Sequence, residues 1–466
     1  MPLATLKLRE RKSLHPHRRL LITNDVKLDY SGFYDRVQLL RERLTGQGIA
    51  PGDVVAITGE SFETVFLGLF ANWELGSIPA VIPRYDSQKA LESLNPVGLI
   101  TDPNTVMAFR DGRTDAENSL ILFTSGSTGQ PKGVVLKADA IVQNAVAASS
   151  EFKLDESDRL FINTSPLYTS AICHFLSVLV SGGTLIAKKG LILPEILKRE
   201  LEECGATSFG GAPVHYQRVV GHSDAKLPQT LRRWISSGEA LLKPLIEAGQ
   251  KRFPRLDLHC VYGLTEVSGR LAALSPSLLA TKPGSVGKTL GNMTITIRNE
   301  AGEKCPVGEI GEIFVQGSWL FKEYLDCPEE TAAVKTDLGF RTGDFGSLDR
   351  NGDLWIEGRR DEVIKSGAEK VSLRRVREAV LKSIDCVDLA VIDGWDEVIG
   401  RVPCAFIVLR GGEKMISPEL MRAVRADLPA THVPKRWYVV DLIPRTGSGK
   451  VLVGELRKQV LNDTAG

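Results

Sequence analysis

Short apolar runs alternate with helix-length amphipathic stretches through the first two thirds of the chain, and this alternation narrows the fold more than any other feature. The runs "DVVAIT" (53–58), "SIPAVI" (77–82), "LILF" (120–123) and "TLIA" (184–187) are each four to six residues long and almost free of charge. Strands covered on both faces read this way. Between them, "LDYSGFYDRVQLLRERL" and "LKADAIVQNAVAASSEF" space their apolar residues as helices do. Strand–helix alternation predicts an α/β fold with mostly parallel sheets.

The pattern changes near residue 284. From there "GSVGKTLGNMTITIRNEAGEKCPVGEIGEIFVQG" alternates apolar and polar residues between turn pairs, which predicts a small antiparallel β-unit. After "DRNGDLWIEGRRDE" (349–362) come a new amphipathic helix, two strand-like runs and another helix. A domain boundary is expected there, dividing 1–359 from a small α+β domain, 360–466, of ordinary size. The 466 residues are 43% hydrophobic, enough to bury several cores.

Lys plus Arg is 58 and Asp plus Glu 57, a net charge of +1 that gives no reason to expect nucleic acid or an anionic membrane as partner. Seven cysteines lie scattered with no Cys-x-x-Cys, which fits reduced thiols in a cytoplasmic protein better than disulfides or zinc. The first residues show no apolar core of a secretory signal. The longest apolar stretch, 171–187, holds a histidine and two glycines, so no membrane insertion is expected.

Directly after "LILF" comes "TSGSTGQPKG". Its glycines let backbone N–H groups approach an anion, its hydroxyls can donate to phosphate oxygens, and Lys132 adds a point charge. It is not a Walker loop, since Lys132 follows Pro131 and precedes Gly133. Four stretches accompany it: "VYGLTE" (261–266), "FRTGDF" (340–345), "GRRDEVIKSGAEKVS" (358–372) and "PRTGSGKVL" (444–452).

In this order and spacing the set resembles the AMP-forming adenylating superfamily, which includes acyl-CoA synthetases, peptide-synthetase adenylation domains and firefly luciferase. The resemblance runs from about Tyr30 to Lys458. It implies a large N-terminal domain of two α/β subdomains and a small β-barrel-like unit, with a small mobile C-terminal domain. It implies an ATP-dependent acid–thiol ligase that forms acyl-AMP and pyrophosphate, with Mg²⁺, and then a thioester. Thr124, Ser125, Gly126, Ser127, Thr128, Gly129 and Lys132 would clasp the β- and γ-phosphates. Thr265 would meet the α-phosphate and Glu266 the Mg²⁺, while Lys450 would serve the chemical step. Asp344 and Arg359 would bind the ribose, and Tyr262, with Gly263, would stack on adenine beside Gly238, Glu239 and Ala240. Asp361 would be the pivot of a rotating C-terminal domain, and Gly367 and Ala368 would line the thiol tunnel.

The acid is expected near "TSPLYTSAICHF" (164–175), with Tyr168, Thr169, Ile172, Phe209, Gly210, Gly211 and Ser236 as candidate pocket residues. Amino-acid-activating relatives have an aspartate at the place of Thr169. An α-amino acid here would leave a buried ammonium unpaired, so that substrate is disfavoured. Aromatic, aliphatic and glycine walls suit an aryl or small hydrophobic acid. His174 and His215 are expected to be structural, since the chemistry needs no imidazole. Arg374, Arg375 and Arg377 could meet the 3′-phosphate of CoA or an acidic carrier-protein helix, or could form a solvated basic face. The acceptor is expected to be CoA, with the phosphopantetheine of an acyl carrier protein as the alternative. A nucleotide- or acyl-sensing protein without catalysis is a third reading. The chain is expected to be a monomer or homodimer.

Overall fold

The computed structural model describes residues 2–464 except 84–86, 110–111, 115–118, 126–130, 189–193, 223–225, 361, 368, 411–414 and 447–448. Three sheets organise it. The largest has fourteen strands and two halves of different character. In one half Asp257–Leu264, Arg233–Ser236, Ser208–Gly211, Arg159–Ile162, Thr184–Ala187 and Arg19–Ile22 lie parallel in that order. In the other half Gly269–Leu274, Ser285–Thr289, Leu354–Arg359, Gly339–Leu348, Gly311–Gln316 and Thr294–Arg298 pair antiparallel. The hairpin between Asp257–Leu264 and Gly269–Leu274 joins the halves. The expected β-unit is present, but it begins earlier, at residue 269, and continues the parallel sheet through that hairpin.

The second sheet has seven strands around a parallel centre of Ile78–Val81, Val54–Ile57 and Gly98–Asp102, with Ser119–Ser125 parallel to Ile78–Val81. All four apolar runs singled out in the sequence are strands in these two sheets. Both segments with helical spacing are helices, Tyr30–Gly46 and Ala138–Glu151. Asp29 starts the first by accepting from Gly32 N–H at 2.7 Å, an N-cap worth about 1 kcal/mol.

Helices pack between the two large sheets. Phe66 on the helix Phe62–Leu75 stacks on Phe175 of the helix Thr169–Ser181 with centroids 4.1 Å apart, and Phe33 and Phe70 close around Phe175. Truncating such an aromatic to alanine costs about 3–5 kcal/mol. This cluster holds the helix Thr169–Ser181, and so the site beside it, in a fixed place.

The third sheet has five strands, drawn from residues 363–439: Glu369–Ser372, Val363–Ser366, Gly400–Leu409 and Cys386–Asp396, with Arg436–Val439 against Gly400–Leu409. The helix Leu373–Ser383 covers it through Val376 and Val380. No helix among the described residues is long and apolar enough to cross a membrane.

Candidate active site

A cavity of about 670 Å³ opens where the carboxyl ends of the parallel strands meet the second sheet, Thr446 and Lys450. Ligands of open α/β sheets bind at that end of the strands. Gly211 ends one strand, Ser237 follows another, and Gly263 and Leu264 end a third; all four line the cavity.

On one side stands a hairpin. The strand Ser119–Ser125 returns as Pro131–Lys137, and the register sets Thr124 opposite Lys132, so both side chains share a face and line the cavity. Gly126, Ser127, Thr128 and Gly129 lie outside the described residues, as does the side chain of Ser125. Lys132 is ion-paired with Glu330, which lines the cavity too.

Thr265 and Glu266 open a short 3₁₀ turn after Asp257–Leu264 and face the same space. Gly263 permits that turn: a Cβ there would lie 2.0 Å from the carbonyl oxygen of Gly269. Glu266 accepts from the Tyr324 hydroxyl at 2.9 Å. Among the described residues no three His, Cys, Asp or Glu side chains gather as a metal cluster. The Glu266 carboxylate does fit Mg²⁺, which takes one or two carboxylates and completes its shell with phosphate and water.

Tyr262 does not line the cavity wall; its hydroxyl donates to Asp344 at 2.5 Å. Asp344 and Arg359 are cross-strand partners and an ion pair at 3.5 Å, with Arg359 on the wall. Burial pushes the Asp344 carboxyl above its ordinary value, against the hydrogen bond from Tyr262 and the charge of Arg359. Gly238 lines the cavity in the left-handed region, at φ 100°. Glu239 and Ala240 stand behind it, beside a separate small void.

Lys450 enters the cavity from the far end of the chain. Its turn is tied internally, with Thr446 N–H donating to Lys450 O at 2.8 Å and Lys450 N–H to the Thr446 hydroxyl at 3.2 Å. The turn is also tied across the molecule: the N–H of Val451 donates to Glu239 at 3.1 Å, and Arg445 bridges Asp388 (2.8 Å) and Glu239 (3.4 Å). Gly449, at φ 90°, lets the turn approach Ala212, where an added Cβ would come within 2.7 Å. Glu239 was expected beside adenine for its backbone; its carboxylate holds the lysine turn. Arg445 lay within the quoted "PRTGSGKVL" but drew no role from the sequence.

At the inner end, Tyr168, Thr169 and Gly211 line the cavity, and the Thr169 hydroxyl lies 2.9 Å from that of Thr265. Ile172 and Phe209 do not. Ile172 belongs to the main core, and Phe209 is fully buried against Phe161 and Trp234. Ser236 is buried outside the wall. Gly210 lies beneath the His174 ring, which a Cβ would meet at 2.7 Å. His174 and Arg270 take the wall positions instead, and Arg270 had no place in the sequence reading. His215 is neutral, its value lowered to about 4 by burial, and its Nδ1 accepts from the Ala212 N–H, fixing the turn behind Gly211.

Gly367 sits in an exposed turn between Val363–Ser366 and Glu369–Ser372, away from the cavity, while Ala368 and Asp361 lie outside the described residues. Of the three arginines, Arg374 is buried beside Glu378 and Arg377 pairs with Glu362 at 3.1 Å. Arg375 pairs with Glu357 at 3.8 Å, with 60% of its side chain exposed.

The hairpin of Thr124 and Lys132, the Thr265–Glu266 turn and Lys450 thus share one cavity. Residues 101–325 match the family model for AMP-binding enzymes, and residues 376–450 match the model for the AMP-binding enzyme C-terminal domain. The chain belongs to the AMP-binding enzymes. Within that family its relatives are AMP-forming acyl- and aryl-CoA ligases. This AMP-binding enzyme is 29% identical to a feruloyl-CoA synthase from Amycolatopsis sp., over 96% of this chain and 97% of that one. It is 27% identical to a 2-succinylbenzoate–CoA ligase from Geobacillus sp. (strain WCH70), over 98% of both chains. The fold matches an anthranilate CoA ligase bound to anthranoyl-AMP, with a TM-score of 0.88 at 21% identity, over 100% of this chain and 99% of that one. It also matches o-succinylbenzoate CoA synthetase from Bacillus subtilis bound to its acyl-adenylate, with a TM-score of 0.82 at 24% identity, over 97% of both.

Proposed function

We propose that this AMP-binding enzyme joins an aryl or similarly compact hydrophobic carboxylic acid to CoA in two half-reactions. Acid and ATP give acyl-AMP and pyrophosphate; the CoA thiol then displaces AMP to give the thioester. The presence of Lys450 in one cavity with Thr124, Lys132, Thr265 and Arg359 carries this reading.

A carboxylate and a triphosphate repel, so the site must neutralise both before a carboxylate oxygen can attack the α-phosphorus. Thr124, Ser125 and Lys132 hold the β- and γ-phosphates, and Thr265 orients the α-phosphate. Lys450 meets the charge that builds between the attacking oxygen and the α-phosphate, and no covalent enzyme intermediate is required. Mg²⁺ on Glu266, when bound, neutralises the triphosphate. Asp344 and Arg359 take the ribose, with Tyr262 holding Asp344 in place.

Glu266, Glu312 and Glu330, the carboxylates on the described wall, are each engaged, with Tyr324, Arg341 and Lys132. Position 169 itself holds a threonine, which offers an ammonium group no opposite charge, and this supports the exclusion of α-amino acids. The names of the relatives favour an aryl acid and CoA. For the second half-reaction, residues 360–466 swing about Asp361 and bring Gly367 and Ala368 to the cavity in place of Lys450. The cytoplasm, where ATP and CoA are at hand and thiols stay reduced, suits its seven cysteines. ATP–pyrophosphate exchange across a panel of acids tests the first half-reaction. Offering CoA against a phosphopantetheinylated carrier protein then tests the acceptor.

A further inference from the structure

Arg270 is only 5% exposed and lines the inner end of the cavity. Its Nη1 donates to the Cys173 carbonyl at 3.2 Å and to the Ser177 hydroxyl at 2.9 Å, and its Nη2 donates to His174 Nδ1 at 2.9 Å. All three acceptors are neutral. Among the described residues no carboxylate pairs with this guanidinium, and the Phe152 ring lies beside it. A guanidinium has five N–H donors, so the Nε hydrogen and one Nη2 hydrogen are left without a partner among the described residues. A buried cation is ordinarily paired.

His174 adds to the same field. Its Nδ1 accepts from Arg270, so the neutral ring carries its proton on Nε2. Burial and the Arg270 charge hold the imidazole well below its ordinary value. The ring lies over Gly210 on the cavity wall, with no partner for Nε2 among the described residues. The inner end thus offers one fixed positive charge and three donors unused among the described residues, with no carboxylate among those residues paired to them.

We propose that Arg270 and His174 bind a second carboxylate carried by the acid substrate itself, so that the enzyme activates an aromatic diacid. This rests on the ligase reading above, in which the reacting carboxylate lies between Thr265 and Lys450. Thr169, in contact with Thr265, is five residues from His174 on one helix. At ~1.5 Å per residue that is roughly 7–8 Å, room for an arene between two carboxylates. The reacting group is joined to AMP while the second stays ionised against Arg270.

The test is ATP–pyrophosphate exchange by the full-length enzyme with matched pairs: phthalate, isophthalate, terephthalate and 2-succinylbenzoate, each beside its monomethyl ester, with benzoate and ferulate as single acids. The wild type is expected to favour at least one diacid over its ester by about 100-fold in kcat/KM, since a site built for a polar group rejects the analogue lacking it. Arg270→Met is expected to cut that preference to below about tenfold, by loss on the diacid at unchanged KM for ATP, and Arg270→Lys to keep part of it. Exchange with esters or single acids in preference to every diacid overturns the proposal and leaves the ligase reading standing. A diacid preference that survives Arg270→Met also overturns it. Exchange with no acid at all overturns both. Should Arg270→Met fail to fold, the wild-type preference and Arg270→Lys decide alone.

Discussion

The N–H of Val451, the residue after Lys450, donates to the carboxylate of Glu239 at 3.1 Å. This bond joins two segments more than two hundred residues apart and sets the lysine turn against the cavity, with Arg445 clamped between Glu239 and Asp388. On the proposed function, Glu239 is a positioning residue for Lys450. Glu239→Ala is expected to lower kcat for pyrophosphate exchange by about 10–100-fold with little change in KM for ATP, because a misplaced group loses transition-state stabilisation first. A rise in KM for ATP at unchanged kcat would place Glu239 on the nucleotide instead.

Lys132 meets Glu330 where the phosphates of ATP are proposed to lie. Nearly half of the Glu330 side chain is exposed, so the pair is weak and yields to a triphosphate. Glu330→Gln should lower KM for ATP by about two- to fivefold, the scale of a partly exposed ion pair, and Lys132→Ala should raise it. Steady-state kinetics with ATP varied will show whether the two variants move in opposite directions; a shared direction would refute competition for Lys132.

Asp344 carries a cost that should be visible as a pH effect. Burial raises its carboxyl above 3.8, so the folded chain disfavours the ionised form. That penalty is absent below pH 3.8, where the carboxyl is protonated in both folded and unfolded chains. It grows as pH rises through the folded value and is complete at neutral pH. Asp344→Asn is expected to raise Tm at pH 7 more than at pH 4, while weakening ATP binding at least ~10-fold through loss of the carboxylate proposed for the ribose. Thermal melts at the two pH values, with titration of ATP, read both effects. An equal Tm change at both pH values would remove the electrostatic cost.

Asp361→Pro bears on the proposed rotation. Fixing φ at the pivot should spare pyrophosphate exchange and slow thioester formation from preformed acyl-AMP. If exchange and thioester formation fall together, Asp361 is not a pivot.

The strands were legible because buried parallel strands are apolar along their whole length, as "SIPAVI" and "TLIA" are. The hairpin of Val363–Ser366 and Glu369–Ser372 was not. Its exposed Lys365 and Glu369 interrupt buried Ile364, Ser366 and Val371, and the short alternation reads as a charged loop. Thr124, Lys132, Thr265, Glu266, Arg359 and Lys450, which share the cavity wall, were singled out through motifs whose residues lie close in sequence. Arg270 was hidden for the opposite reason: its burial comes from Cys173, His174 and Ser177, nearly a hundred residues earlier, and "SGRLAAL" looks like a strand with a solvated end. Ile172 and Phe209 misled because an apolar residue beside a site and one within the core have the same sequence signature.

The most direct test of the account is Lys450→Ala in ATP–pyrophosphate exchange, beside ATP binding measured by calorimetry. Exchange is expected to fall by at least ~100-fold, with the Kd for ATP within a few-fold of wild type, since Lys450 acts on charge that develops in the transition state. Undiminished exchange, or loss of ATP binding in step with activity, would contradict the role of Lys450 in the adenylation step.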